Sequence, residues 1–290
     1  MKWIAALLLL VTQAYAAEVT LYAINSPHPL NWSTPRSLLD TTIRSSINPT
    51  RQGRSNHTIG HAYIGVKCDG EAEIISGMTS GKGFTSRNNL LKNGHGFSSI
   101  LQDNPGHFQD HAESLKDVDF FSFQGDRTSV MKVIVSNETC LKAKQWYTDF
   151  AAREVFIYGG LMRRPLTGEG SGCSAYVMSF LEVADVDYAF FNKIFEQTIY
   201  IPNSLLGGGV YGTNKVSLGT IRSNRTPLAT PAENTLKVDF YDPNRMYYWI
   251  VNTYNEVKKT GTAVALPDYS VKLEMLKNSK VIVLEKNTEI

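Results

Sequence analysis

A β-hairpin pattern that begins at Gly60 commits this chain to an antiparallel sheet. Two stretches rich in β-branched and aromatic residues, GHAYIGVKC and EAEIISGMT, flank the dipeptide Asp69-Gly70. Asp-Gly between two such stretches is a strong hairpin signal. The pattern places His61 at the head of one strand and Glu73 on the next.

The remaining patterns add both strands and helices to this hairpin. Strands are predicted over 18–24, as a pair over 117–137, and as two strands over 269–287. Helices are predicted over 136–154, from Cys173 to about Ala184, and over 242–259, which begins at Asp242-Pro243. The sequence therefore predicts an α+β fold.

The first sixteen residues have the features of a secretory signal peptide. Lys2 precedes a short apolar run, and small residues at Ala14 and Ala16 precede the expected cleavage before Ala17. We therefore expect an exported protein, periplasmic or secreted. No later stretch is long and apolar enough to predict a membrane-spanning helix.

The charge balance excludes one class of partner. The chain has 29 Lys and Arg against 27 Asp and Glu, a net charge of +2, with both signs mixed along its length. Nucleic-acid binding needs a basic stripe or patch, and the sequence has none. We expect no nucleic-acid partner.

Three cysteines in an exported chain leave one unpaired. Cys173 follows a Gly- and Ser-rich loop and opens an apolar helical pattern, CSAYVMSFLEVA. The first turn of a helix favours a thiolate and offers N–H groups to an oxyanion, so the position suits a nucleophile. The alternative is a small buried residue, as many free cysteines are.

A nucleophilic thiol needs a base, and His61 is the histidine that a predicted strand would hold rigidly. Glu73 lies a dozen residues later, across the hairpin, where it could orient the imidazole; Glu71 is the fallback. For either carboxylate, a solvated surface position is the ordinary alternative.

Together these stretches resemble the circularly permuted NlpC-type papain-like hydrolases, a branch that includes lecithin:retinol acyltransferase-like proteins and bacterial relatives. The resemblance rests on His at the head of GHAYIGV, a polar residue on the paired strand, and Cys opening a helix in GSGCSAYVMSFL about a hundred residues later. It covers short stretches within residues 58–185. Family members often have Asn or Asp where this chain has Gly172.

The resemblance implies a permuted papain-like core with Cys173 as nucleophile, His61 as general base and Glu73 as the orienting residue. Backbone N–H groups near Gly172, in a loop supported by Ser171, would hold the oxyanion. The hydrolase domain is expected over 17–222 with an insertion at about 80–116, followed by a linker and an α/β extension over 223–290. No metal or organic cofactor is required.

With Cys173 assigned to chemistry, two cysteines remain. Cys68 and Cys140 can form a disulfide, or both can be buried thiols. His107 and His111 stand four residues apart, as a helical zinc pair would, but a clear third ligand is missing.

The predicted activity is hydrolysis of an amide or peptide bond, in cell-wall or envelope material, through a thioester. Two alternatives are a lipid acyl esterase or acyltransferase of the same superfamily, and an inactive envelope-binding module. A polar, open groove beside Cys173 would indicate a peptide substrate, whereas a deep apolar one would indicate an acyl chain.

Overall fold

The computed structural model describes residues 17–47, 57–81, 89–123, 127–159, 161, 164–167, 170–208 and 211–287. The expected signal peptide lies outside these ranges, and so does Gly125-Asp126, the expected turn between the strands predicted over 117–137. The strands are β1 (Ala17–Ile24), β2 (His61–Lys67), β3 (Ile74–Ser80), β4 (Asp103–Gln109), β5 (Thr128–Val135), β6 (Ile157–Gly159), β7 (Glu196–Pro202), β8 (Thr235–Tyr241), β9 (Tyr269–Leu276) and β10 (Ser279–Lys286).

The α-helices are α1 (Pro35–Ile47), α2 (Ser98–Leu101), α3 (His111–Phe123), α4 (Asn137–Ala151), α5 (Cys173–Val183), α6 (Tyr188–Phe195), α7 (Leu218–Ser223) and α8 (Pro243–Thr260). Short helical turns of other types lie at Asn89–Asn93, Pro165–Thr167 and Asn203–Leu205. The fold is therefore mixed α+β. No helix within the described ranges has the length and apolar character needed to cross a membrane.

The main sheet has eight strands in the order β6-β4-β3-β2-β1-β5-β10-β9, and β7 and β8 form a separate pair. Its neighbouring strands are antiparallel except β5 and β10, which are parallel. The expected purely antiparallel sheet is thus corrected to a mixed one. Strands β9 and β10 come from the expected C-terminal extension, so this sheet continues across the boundary proposed at residue 223.

Both faces of the main sheet are covered. Helices α4, α5 and α8 pack against one face, where Leu21, Ile64 and Met131 are fully buried. Helix α3 packs against the other face, over Tyr63 and Val130. The alternation of side chains along each strand produces this division. A third apolar cluster forms around β7 and β8, together with α1, α2 and α7.

The segment expected to be an insertion loop followed by a strand contains β4 and α3 instead. Asp110 caps α3, since its carboxylate accepts a hydrogen bond from the N–H of Glu113 at 3.0 Å. Ser114, Val118 and Phe121 recur at helical spacing and are buried. The aromatic run at the end of α3 resembles a strand by composition, but the cap and this spacing favour a helix.

Candidate active site around Cys173

Cys173 is the first residue of α5, and Gly172 is its N-cap in an extended conformation. The loop before it is fixed by β6, because the N–H of Ser171 donates to the carbonyl of Ile157 at 2.9 Å. The Ser171 hydroxyl donates to the carbonyl of Gly172 at 2.6 Å. Ser171 therefore supports the loop, while its own N–H is already used and cannot serve an oxyanion.

The Cys173 thiol is buried, with 8% of the residue exposed. Burial raises the pKa of this thiol, and hydrogen bonds from Ser174, the backbone of Ala62 and the Tyr158 hydroxyl partly oppose the rise. The expectation of a lowered pKa is corrected: desolvation of the thiolate outweighs the hydrogen bonds that favour it. The resting group is a neutral thiol.

Cys173 contacts β2 through the residue that follows His61. The backbone of Ala62, the residue after His61, hydrogen-bonds the Cys173 sulfur. Within the described residues, Ser174, Ala62 and Tyr158 are the thiol's hydrogen-bond partners, rather than the His61 ring. The structure thus brings Cys173 to the head of β2, where the thiol and the imidazole are both uncharged and are not paired as ions.

The His61 imidazole is 2% exposed, and its Nε2 lies 3.0 Å from Oε1 of Gln109. Burial lowers the pKa of His61 well below its usual 6.5, and the neighbouring His57 lowers it further. The His61 ring is therefore neutral at physiological pH, which is the form that accepts a proton.

Glu73 does not reach His61, which corrects the expected orienting residue. Its carboxylate accepts hydrogen bonds from the Tyr22 hydroxyl at 2.9 and 3.0 Å, and burial raises its pKa. Strands β2 and β3 pair Tyr63 with Gly77, and this register puts His61 level with Thr79. Glu73 precedes β3 and lies roughly 20 Å from that level, at the opposite end of the hairpin.

The fallback carboxylate is also occupied elsewhere. Glu71 accepts hydrogen bonds from Lys144 at 2.7 and 2.6 Å on the protein surface. The orienting position at His61 belongs to Gln109 of β4 instead.

Gly77 allows the side chains of Gln109 and Tyr63 to come into contact across β3. It pairs with Tyr63 on one side and with Gln109 on the other. A Cβ at Gly77 would lie 2.5 Å from the Tyr63 ring, so only glycine lets this ring lean across β3. Gln109 then donates through its Nε2 to the Tyr63 hydroxyl at 3.2 Å.

A second imidazole lies against His61. The His57 ring stacks on it with the ring centroids 4.0 Å apart. His57 Nε2 lies 3.1 Å from Oδ2 of Asp117, which also accepts from the Tyr63 hydroxyl at 2.8 Å. The α3 face of the sheet therefore carries a buried polar cluster behind His61.

Sequence reasoning missed Gln109, Tyr158 and Asp117. Gln109 and Asp117 fall in the segments expected to be loop and strand, and no motif marks Tyr158. The sequence does carry one signal for this region, because Asp110 followed three residues later by Glu113 is a helix-capping pattern. It marks the start of α3 and therefore the end of β4 at Gln109.

The other two cysteines form a disulfide. Cys68, just after β2, is joined to Cys140 of α4, 72 positions later in the sequence. Cys173 is the free cysteine. This pairing leaves the thiol at α5 as the odd one.

The two histidines considered as a zinc pair lie on different elements. His107 is in β4 and contacts Glu113 at 2.7 Å on the surface. His111 begins α3, and its Nδ1 accepts a hydrogen bond from the N–H of Ile75 at 3.0 Å. Across the described ranges, no three His, Cys, Asp or Glu side chains lie together as metal ligands.

A cavity of about 720 Å³ opens beside Cys173. It lies between α5 and the cluster formed around β7 and β8, and Gly172, Cys173 and Ala175 line one side. Much of the remaining lining is apolar: Leu30, Trp32, Leu38, Leu39, Phe97 and Phe240. Buried Asp242 also lines it, but its carboxylate already accepts from Trp32 and Asn244.

In comparisons with protein-family models, with curated proteins and with solved structures, nothing matches this chain. The resemblance to permuted NlpC-type hydrolases stays a prediction from the sequence. Function is therefore inferred from the chemistry of the site itself.

Proposed function

We propose that this protein is a cysteine acyl hydrolase or acyltransferase that acts on an ester or amide of a long acyl chain. The observation that carries the proposal is the position of the free thiol of Cys173 at the wall of a large apolar cavity. A peptide would need polar partners for each backbone amide it buries, whereas an acyl chain needs only apolar contact. The lining favours the acyl chain.

The proposed reaction requires the Cys173 thiol and the His61 ring to meet at the head of β2, where the thiol gives its proton to Nδ1 as the sulfur attacks the carbonyl carbon. The C–S bond forms and the carbonyl electrons move to oxygen. His61 then returns the proton to the departing alcohol or amine, leaving a thioester on Cys173. Water or an acceptor, deprotonated by the same ring, releases the acyl group.

The proposal assigns the oxyanion to two kinds of donor. The backbone N–H groups in the first turn of α5 have no partner within the helix, and they carry the positive end of its dipole. The Tyr158 hydroxyl reaches the same sulfur. We assign the oxyanion to these donors rather than to the N–H of Ser171.

We also propose that the core has the permuted papain-like fold. Helix α5 packs against β2 and β3, with the base before the nucleophile in sequence. This arrangement supports a permuted papain-like core. The Cys68–Cys140 disulfide supports the expected export, because such bonds persist in oxidising compartments.

The test is a series of activated esters whose acyl chain grows from acetyl to palmitoyl, measured alongside short peptide amides. We expect kcat/KM to rise with chain length, and Cys173→Ala to abolish turnover. Ala175→Phe, which narrows the cavity beside the thiol, should lower the ratio of long-chain to short-chain rates; Ala175→Ser is the size-matched control.

Two outcomes would overturn the proposal. Cleavage of peptide amides with no preference for chain length would restore the cell-wall peptide prediction. Tight binding of fatty acids without any thiol-dependent turnover would identify a binding module.

A further inference from the structure

A buried chain of hydrogen bonds runs from Asp117 to His61 on the α3 face of the sheet. Tyr63 donates to Asp117 at 2.8 Å, Gln109 Nε2 donates to the Tyr63 oxygen at 3.2 Å, and Gln109 Oε1 meets His61 Nε2 at 3.0 Å. Tyr63, Gln109 and His61 are each less than 7% exposed. The donor and acceptor roles in each hydrogen bond fix those in the next.

The constraint begins with the single proton of the Tyr63 hydroxyl. An ionised carboxylate can only accept, so Tyr63 directs its proton to Asp117. His57 Nε2 also lies 3.2 Å from the Tyr63 oxygen, but if it accepted this proton the proton would still point away from Gln109. In both cases the Tyr63 oxygen can only accept from Gln109.

The side-chain amide of Gln109 therefore has one orientation. Its NH₂ group must face Tyr63, which leaves the carbonyl oxygen facing His61. The carbonyl oxygen can only accept, so His61 must carry its proton on Nε2. Nδ1 then keeps the lone pair with which a general base takes a proton.

The opposite orientation would have a clear chemical cost. If the NH₂ group faced His61, Nε2 would become the acceptor and Nδ1 would carry the proton. Nδ1, which acts as the base in the proposed reaction, could then accept nothing. A glutamine alone does not choose between these states, because both of its ends form hydrogen bonds.

We propose that Tyr63, anchored by Asp117, is a positioning residue that fixes the Gln109 amide and thereby holds His61 with its proton on Nε2. The tautomer is a property of the free protein, and only its catalytic consequence rests on the proposed function.

The test is a two-bond ¹H–¹⁵N NMR spectrum of the histidine rings in the full chain at pH 8, with His61 assigned through His61→Gln. We expect the wild-type His61 to be protonated on Nε2. In Tyr63→Phe, which removes only the hydroxyl, the amide is free to turn, and a substantial Nδ1-protonated population should appear.

A rescue variant separates this role from general packing. In Tyr63→Phe/Gln109→Glu, the carboxylate at position 109 can only accept, so the Nε2-protonated form should return. The Cys173 acylation rate should fall by about tenfold or more in Tyr63→Phe, in line with the contribution of a general base, and recover at least partly in the double variant.

Two results would overturn the proposal. One is a wild-type His61 protonated on Nδ1, which needs no variant to fold. The other is an unchanged tautomer in a cooperatively folded Tyr63→Phe. If the tautomer behaves as expected but no ester is turned over, the proposed function fails while the positioning role stands.

Discussion

His61 Nε2 lies 3.0 Å from Oε1 of Gln109, a residue two strands away in the sheet. Gln109, rather than Glu73, is therefore the side chain that contacts the His61 imidazole. The orienting side chain is neutral, so it sets the direction of the His61 ring without adding a charge that would raise the pKa of the imidazole.

Matched variants distinguish the two candidate orienting residues. Gln109→Leu removes the partner of His61 and should slow Cys173 acylation by about tenfold or more. Glu73→Gln keeps an acceptor for Tyr22 and should leave the rate within about twofold. Stopped-flow acylation with an activated ester measures both, and the reverse ranking would reinstate Glu73.

The pH dependence of thiol labelling follows from the raised pKa of Cys173. The thiolate is the reactive form, so labelling by a small neutral alkylating reagent should be slow at pH 6 and rise about tenfold per pH unit up to at least pH 9. Cys173→Ser provides the blank. Full labelling speed at pH 6 would indicate a thiolate-imidazolium ion pair and contradict a neutral resting pair.

Stability should fall as the pH drops below 6.5, because the pKa values of buried His57 and His61 are both lowered in the folded protein. Below pH 6.5 the two histidines become protonated in the unfolded chain but stay neutral in the folded protein. Each one therefore lowers the free energy of unfolding by about 1.4 kcal/mol per pH unit. The loss continues until the pH reaches the folded pKa values.

Urea unfolding at pH 7.5 and 5.5 measures this loss. His57 has a positive φ of 57°, so His57→Asn is the replacement that this backbone tolerates. The variant should lose less stability over that interval than the wild type. An equal loss in both proteins would show that His57 does not contribute.

Removing the disulfide should lower the free energy of unfolding by about 2–5 kcal/mol, since it closes a long loop. Cys68→Ala/Cys140→Ala keeps small side chains at two buried positions. Denaturant unfolding measures the change. A variant as stable as the wild type would show that the bond does not restrict the unfolded chain.

Local signals in the sequence predicted the elements that depend on local interactions. The Asp69-Gly70 turn marks the β2-β3 hairpin, the Ser136 cap begins α4, and Asp242-Pro243 begins α8. At the two helix starts the capping side chain accepts from a backbone N–H two or three residues on, and at the turn the N–H of Glu71 donates to the carbonyl of Cys68. The signal and its cause therefore lie within a few residues of each other.

The error at Glu73 came from register. A two-residue turn at Asp69-Gly70 pairs Cys68 with Glu71 and therefore puts His61 level with Met78, so the spacing itself argued against Glu73. In the structure the loop is longer and the level residue is Thr79. Two residues whose side chains point to the same face of a hairpin are not neighbours unless the register also places them level.

The remaining parts of the site depend on contacts between distant segments. Gln109 meets His61 only because β4 pairs with β3, and the cavity joins Leu38, Phe97 and Phe240 from three separate regions. The raised pKa of Cys173 likewise depends on how deeply α5 is buried. No local pattern encodes these relationships.

The most direct test of the account is the intact mass of the protein after brief incubation with an activated palmitoyl ester at pH 7.5. We expect one palmitoyl group per chain, mapped by peptide analysis to Cys173 and released by hydroxylamine as a thioester. The adduct should be absent in Cys173→Ala and form much more slowly in His61→Gln. A palmitoyl group on another residue, or a Cys173 adduct that forms equally fast without His61, would contradict it.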